Sequence, residues 1–243
     1  MRIWPARSPL TNVAKRVVRL AARRSPRLLR AARRHSGHTI SRGDFSAKNA
    51  RGSLYTSLGE LGIETVDAYL LHDCGADDWD NPTLQEALAG LVEQGLVRAI
   101  GTATSGDNTL EILTRRHPPA VAQFDSCTLA PGPFAELRRA GCFTVTFAAL
   151  SRALPLLVER VAQRPEVAAR WSRELDLDAA STDTLADLLL ADALHRNPNG
   201  VVLYATGKAA RIQHAARLAA EPPFAERQLA SFRTLAAAIT EQG

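Results

Sequence analysis

The chain contains no apolar run long enough to cross a bilayer, and it has few cysteines. Every apolar stretch falls well short of the roughly 18–20 residues that a membrane-spanning helix requires. Its three cysteines, Cys74, Cys127 and Cys142, are odd in number and lack the C-x-x-C spacing. These absences argue against a disulfide framework and a zinc site, and they predict a reducing, cytoplasmic setting.

Several motifs that define large enzyme classes are also missing. No G-x-G-x-x-G sequence occurs, which argues against a Rossmann fold, and no G-x-S-x-G elbow occurs, which argues against an α/β-hydrolase. The G-x-x-x-x-G-K-[ST] spacing of a P-loop is absent as well. With 243 residues, of which 46% are hydrophobic, the chain is suited to one globular domain, with or without an appendage.

Acidic residues are absent from positions 1–43, which contain eleven Arg and one Lys for a net charge of +12. The remaining 200 residues hold 18 basic and 25 acidic side chains, a net charge of −7. Apolar residues recur at helical spacing within 11–34, so this stretch predicts a basic helix or helix pair interrupted at Pro26. The composition therefore divides the chain into a basic helical segment, 1–43, and a mildly acidic globular part, 44–243.

From Phe45 onward the sequence alternates between short apolar strands and amphipathic helices. This alternation predicts βαβ units and a parallel sheet. Strands are predicted at 66–72, 97–102, 120–125, 143–148 and 201–205. Helices are predicted at about 46–60, 83–94, 107–116, 132–140, 151–171, 181–196 and 208–220, with one more surface helix within Pro222–Gly243. Five βα units are too few to close an eight-stranded barrel.

The first of these strands, Val66–His72, is apolar for most of its length and ends on a titratable residue followed by Asp73. A helix closed by Gly62 precedes it, and Leu96-Val97-Arg98-Ala99-Ile100-Gly101 follows. Together these segments resemble the middle of the aldo-keto reductases, most specifically over 53–104 and more broadly over 44–220. The resemblance implies a partial TIM-type (β/α)8 barrel comprising strands four to eight. The first three strands, which carry the catalytic Asp, Tyr and Lys of the family, have no counterpart ahead of residue 44.

His72 takes the place of the catalytic histidine at the end of the fourth barrel strand, where it would orient a substrate carbonyl. By spacing alone, a buried His bonded to nearby backbone is the more typical interpretation. Gln123 matches a glutamine of the sixth strand that binds the nicotinamide carboxamide, since an amide side chain offers both a donor and an acceptor. Phe147 lies where the family has an aromatic ring stacked on the nicotinamide. From the residues alone, Gln123 and Phe147 are equally typical of structural positions.

After strand five the family has a Ser-Asn pair that binds the cofactor. In this chain the pair falls on Ala103 and Thr104, so one cofactor hydrogen bond is either missing or supplied by Ser105. The resemblance accordingly assigns this contact to Thr104 and Ser105. At the far end, Thr206, Gly207 and Lys208 precede a helix, whose first N–H groups and dipole would face an anion. Lys208 and Arg211 are placed to bind the 2′-phosphate of NADPH.

Other polar residues have structural explanations. Asp67 begins the first strand and is expected to bind backbone or an Arg. Asp77, Asp78 and Asp80, with Trp79, predict a solvated acidic loop. Tyr55 and Tyr69 lie on a helix and in mid-strand, so neither is placed to replace the missing proton donor.

The basic segment 1–43 has three interpretations. It resembles the helical excursion that some aldo-keto reductases insert after the third strand. It also has the composition of a transit peptide or of an arm that binds nucleic acid or an anionic membrane surface. The third interpretation is that the sequence begins at a start that is not the native one.

The predicted function is hydride transfer between NADPH and an aldehyde or ketone, in a truncated chain that is weak or inactive alone. The alternative is a non-catalytic half-barrel that acts as a binding or scaffold protein with a basic arm. In either case, an open sheet with two exposed edges predicts self-association.

Overall fold

The computed structural model describes residues 43–241, so the helix predicted at 11–34 lies outside the described residues. Five parallel strands form one sheet in the order in which they occur along the chain. The strands are β1 (Val66–His72), β2 (Val97–Ala103), β3 (Val121–Asp125), β4 (Phe143–Phe147) and β5 (Val201–Val202). Each of the five lies within a predicted strand or overlaps it, which confirms the α/β fold with a parallel sheet. Within the described residues β1 and β5 are the edges.

Ten helices connect and cover the strands in the described range. They are α1 (Ala47–Leu61), α2 (Ala76–Trp79), α3 (Pro82–Glu93), α4 (Gly106–Leu113), α5 (Phe134–Arg139), α6 (Ala153–Gln163), α7 (Pro165–Leu175), α8 (Thr182–Arg196), α9 (Ala209–Ala220) and α10 (Glu226–Glu241). No helix among them is long and apolar enough to span a bilayer.

Local signals account for several of the boundaries. The Ser46 hydroxyl accepts a hydrogen bond from the Asn49 N–H at the start of α1. Gly62 ends that helix in the left-handed conformation, with φ 67°, as the sequence predicted. Ser105 and Ser181 cap α4 and α8 in the same way as Ser46.

The prediction of a single helix at 151–171 is wrong. Helix α6 ends at Gln163, and α7 begins at Pro165 and continues to Leu175. Arg164 between them has φ −131° and ψ 81°, because the ring of a following proline disfavours the helical conformation for the residue before it. Two shorter helices, packed against α8 and α10, therefore take the place of the one long helix that was expected.

The prediction of a solvated acidic loop around Trp79 is also wrong. Asp77 and Asp78 belong to the short helix α2, and Trp79 is buried at its end. The indole N–H donates to the backbone oxygen of His117 at 2.6 Å. This contact joins segments 38 residues apart, so the local sequence carried no sign of it.

The last strand is shorter than predicted, because only Val201 and Val202 pair with β4. The last helix is not confined to the surface, because α10 buries the face that carries Leu229, Phe232 and Ile239. These side chains join the largest hydrophobic cluster, which is built from α6, α7, α8 and α10. Trp171 and Phe232 meet edge to face there, with ring centroids 6.0 Å apart.

The helices cover one face of the sheet. On β1, Tyr69 and Leu71 are buried against α1 and α3. On β3, Ala122 and Phe124 are buried against α5. The alternate residues of each strand point to the opposite face, because successive strand side chains alternate. At β4 and β5 that opposite face is exposed, with the large apolar side chains of Phe143, Phe147 and Val201 in contact with solvent.

Candidate functional site

A row of paired residues crosses the sheet near its carboxyl edge, which is the side where the parallel strands end. His72 pairs with Ala103, Ala103 pairs with Gln123, and Gln123 pairs with Val145. Residues paired across neighbouring strands point their side chains to the same face. His72 and Gln123 therefore share a face, and their backbones are about 10 Å apart at the usual strand spacing.

This shared face is the one that helices α1 to α10 of the described range leave uncovered. Leu71 and Phe124, which neighbour His72 and Gln123 along their strands, are buried on the helical side. His72 and Gln123 consequently point away from the helices, toward the opposite side of the sheet. The parallel strands all deliver their carboxyl ends to this edge, which is the edge where α/β barrels place their sites.

His72 is held by its sequence neighbour Asp73. The His72 Nδ1 lies 3.1 Å from the Asp73 Oδ2, and both side chains are about half exposed. Asp73 adopts the left-handed conformation, with φ 54°, which Asp tolerates better than most residues. Its backbone N–H donates to the Ala103 oxygen at 2.8 Å. The carboxylate is thereby held beside Nδ1, which leaves Nε2 as the nitrogen that can meet a ligand. The sequence pattern predicted no role for Asp73, although this residue directly follows His72.

Gln123 is half-buried in β3, and its side-chain amide forms no hydrogen bond with any other described residue. The Gln123 amide is therefore reached by solvent and is available to a polar group that faces it. An amide ligand fits this position, because it can accept from the Gln123 NH2 and donate to its oxygen.

Phe147 is the last residue of β4 and lies two residues beyond Val145, so it shares the face of Gln123. Its side chain is exposed on that face. Ala148 ends the strand in the left-handed conformation, with φ 67°. The Phe147 oxygen accepts from the Ser126 N–H at 2.9 Å, which ties the end of β4 to the segment after β3. An exposed ring held in this way can stack on a planar ligand.

Thr104 and Ser105 follow β2 at the same edge. The Thr104 N–H donates to the Gln123 oxygen at 3.0 Å, which places the two residues side by side. The Thr104 hydroxyl is buried and accepts from the Asn108 amide at 3.1 Å. The Ser105 hydroxyl accepts from the Asn108 N–H at 3.3 Å and caps α4. Both hydroxyls keep a proton to donate, and Ser105 is the more exposed of the two.

The segment from β5 to α9 leaves the sheet beside Phe147, since the Leu203 N–H donates to the Thr146 oxygen at 2.7 Å. The Thr206 hydroxyl accepts from the Lys208 N–H at 3.3 Å. Lys208 directly precedes α9, which has neither a side-chain cap nor an acidic residue in its first turn. The exposed side chains of Lys208 and Arg211 and the free N–H groups of the helix give this end positive potential, which suits a phosphate.

The residues that the sequence placed outside the site also lie outside it in the structure. Asp67 pairs with Arg98 at 2.6 Å, as expected for an acidic residue at the start of a strand. The Tyr69 hydroxyl donates to the Ala50 oxygen at 3.0 Å, and burial raises the pKa of Tyr69. Tyr55 is exposed on α1. No group of three or more potential metal ligands occurs within residues 43–241.

A further ion pair, which the sequence did not suggest, lies at this edge. Asp125, the last residue of β3, approaches the Arg152 guanidinium to 3.4 Å. Asp125 pairs with Phe147 in the sheet register, so this ion pair lies beside the ring.

No protein-family model matches the chain, and no curated protein matches its sequence. Solved structures do match its fold. One is MGS-M4, an aldo-keto reductase enzyme from a Medee basin deep-sea metagenome library, with 20% identity and a TM-score of 0.60. That match covers 82% of this chain and 69% of the other. Another is the aldo-keto reductase AKR11C1 from Bacillus halodurans in its holo form, with 18% identity, a TM-score of 0.62 and the same two coverages.

A structure from Pseudomonas aeruginosa matches at 18% identity and a TM-score of 0.51, over 73% of this chain. The chain spans 60% of the length of that protein. At these identities the likeness concerns the fold. It confirms the expected resemblance to aldo-keto reductase barrels and agrees with a chain that contains part of such a barrel.

Proposed function

We propose that the chain is the carboxyl-terminal part of an aldo-keto reductase that transfers a hydride between NADPH and an aldehyde or ketone. The observation that carries the proposal is the row in which His72 and Gln123 share the uncovered face of the sheet. Phe147 extends that row at the same edge. The likeness in fold to solved aldo-keto reductases supports the same assignment.

NADPH would supply the hydride, and residues of this chain would hold its two ends. Gln123 would bind the nicotinamide carboxamide with an amide that has no other partner among the described residues. Phe147 would stack on the ring, and Ser105 would donate a hydrogen bond near it. Lys208 and Arg211 would hold the 2′-phosphate at the start of α9, where no acidic residue opposes them in the first turn.

His72 would orient the carbonyl substrate. The Asp73 carboxylate lies beside Nδ1, so Nε2 is the nitrogen that would face the carbonyl, and it can donate a hydrogen bond to the carbonyl oxygen when the ring carries a proton on both nitrogens. No tyrosine among residues 43–241 is placed to donate a proton at this edge, because Tyr55 lies on α1, Tyr69 lies in mid-strand and Tyr204 packs beside the helical core. Loss of a general acid lowers the rate by about 10²–10⁴-fold. The chain alone is therefore expected to bind the cofactor and to turn over slowly.

The first test is cofactor selectivity, measured by titrating the fluorescence of NADPH and of NADH. A charge-assisted hydrogen bond contributes about 1.5–3 kcal/mol, so NADPH should bind roughly 10- to 100-fold more tightly than NADH. Lys208→Ala should remove most of that difference. Arg217→Ala, at the other end of the same exposed helix, is the matched control and should leave it unchanged. Equal affinity for the two cofactors would contradict the phosphate site.

The second test is turnover of a reactive aldehyde, followed as NADPH oxidation. We expect a rate near background that falls further in His72→Ala. A high rate that survives His72→Ala would show that the reacting groups lie elsewhere.

A further inference from the structure

A buried carboxylate lies outside the candidate site and has no part in the chemistry proposed for it. Asp192 on α8 is fully buried. One of its oxygens accepts from the Arg196 Nε at 2.9 Å and from the Thr128 hydroxyl at 2.7 Å. The other accepts from the Arg233 Nε of α10 at 2.5 Å. A charge buried this deeply is retained only when paired, so Asp192 holds each of these groups in place.

Thr128 is the contact that leads from this carboxylate toward the sheet. It occupies a tight turn in which Cys127 and Ala130 exchange two backbone hydrogen bonds of 3.1 Å each. The Thr128–Asp192 bond joins residues 64 positions apart. The turn after β3 is thereby fastened to α8 and, through Arg233, to α10.

The same turn contacts the end of β4. Ser126, two residues before Thr128, donates its N–H to the Phe147 oxygen at 2.9 Å. Its hydroxyl donates to the Pro131 oxygen at 2.7 Å, which closes the segment on itself. Movement of the turn would therefore move the carbonyl of Phe147, at the point where Ala148 already strains the backbone with φ 67°.

We propose that Thr128, held by Asp192, is a positioning residue that sets the Phe147 end of β4 relative to Gln123. This inference rests on the proposed function for its effect on cofactor binding, whereas the link between Thr128 and Phe147 can be tested without any cofactor. Thr128 touches neither ring nor substrate. It acts through the Ser126–Phe147 hydrogen bond.

The experiment compares Thr128→Val, which removes the hydroxyl and keeps the shape, with Thr128→Ser, which keeps the hydroxyl. Asp192 retains both arginine partners in each variant, so both variants should fold, and thermal unfolding separates any global loss of stability from the local effect. Hydrogen exchange at the Ser126 amide should become about five- to tenfold faster in Thr128→Val, as expected for the loss of one net hydrogen bond. Exchange in β1 should not change, and Thr128→Ser should behave as wild type.

The effect on cofactor binding is measured by titrating the same variants with NADPH. Affinity should fall about three- to tenfold in Thr128→Val and recover in Thr128→Ser. Unchanged exchange at Ser126 would overturn the link itself. Faster exchange with unchanged NADPH affinity would overturn the positioning role. If the wild-type chain binds no NADPH, the proposed function fails, and the exchange measurement still decides whether Thr128 holds the end of β4.

Discussion

Asn197 binds Thr144 where backbone pairing of the sheet ends. The Asn197 side-chain NH2 donates to the Thr144 backbone oxygen at 3.3 Å, and the Asn197 side-chain oxygen accepts from the Thr144 hydroxyl. The same NH2 donates to the Val201 oxygen at 3.1 Å. One buried amide therefore joins β4 to the two-residue strand β5 and supplies contacts that so short a strand cannot make through its backbone.

Asn197→Ala should destabilise the chain by about 2–4 kcal/mol, because it removes a buried amide and its three hydrogen bonds to Thr144 and Val201. Asn199→Ala is the control, since Asn199 is exposed two residues away and should change stability by less than about 0.5 kcal/mol. Urea unfolding midpoints measure both. Similar shifts for the two variants would refute the role of Asn197 as the clamp of β5.

Ala148→Gly should stabilise the chain. Ala148 has φ 67°, and the left-handed conformation costs a residue with a Cβ about 1–2 kcal/mol. Glycine relieves this strain, but it also raises the conformational entropy of the unfolded chain, which offsets part of the gain. We expect a net gain of about 0.5–1 kcal/mol in thermal or urea unfolding. Ala140→Gly, at a position with φ −79°, should give no gain. A loss at Ala148 would show that its methyl group contributes more through packing than it costs in strain.

Stability should fall as the pH rises above about 9. Burial, with a smaller contribution from the Asp78 charge, raises the pKa of Cys74 from 9.0 to about 12. Between these values the unfolded chain loses the thiol proton and the folded chain keeps it, so a rise in pH favours unfolding. The pKa values of Tyr69 and Cys142 are raised by burial as well and act in the same direction.

Urea midpoints between pH 7 and pH 10.5 measure this fall. Cys74→Ala should show a shallower decline over the same interval, whatever its stability at pH 7. In the folded chain Cys74 should also resist iodoacetamide at pH 8, because the reactive thiolate is scarce there. A midpoint that stays constant to pH 10.5 would contradict the raised pKa values.

The uncovered face of β4 and β5 should make the chain self-associate. Phe143, Phe147, Val201 and Leu203 are all exposed there, and an apolar patch of this kind favours contact with other molecules. Phe143→Ser should reduce association in sedimentation velocity without touching the proposed cofactor residues. Tyr55→Ser removes an equally exposed side chain from the helical side and should have no effect. A wild-type chain that sediments as a single monomer would refute this prediction.

The sequence alone predicted the elements that depend on neighbouring residues. Strand β1 was expected at the residues where it occurs, because an apolar segment between a left-handed Gly62 and a polar end is a local signal. The alternation of strands and helices likewise implied the parallel sheet. The break between α6 and α7 was missed although Pro165 is a local signal, so that error lay in the interpretation and not in the sequence.

Only the tertiary structure decided which side chains meet. His72 and Gln123 share a face because the register pairs both with Ala103, and no local pattern sets a register between strands. The contacts of Trp79 with His117 and of Thr128 with Asp192 join residues 38 and 64 positions apart. Such contacts form when packing brings distant segments together, so the sequence specified residue types and local elements, and packing determined the geometry of the site.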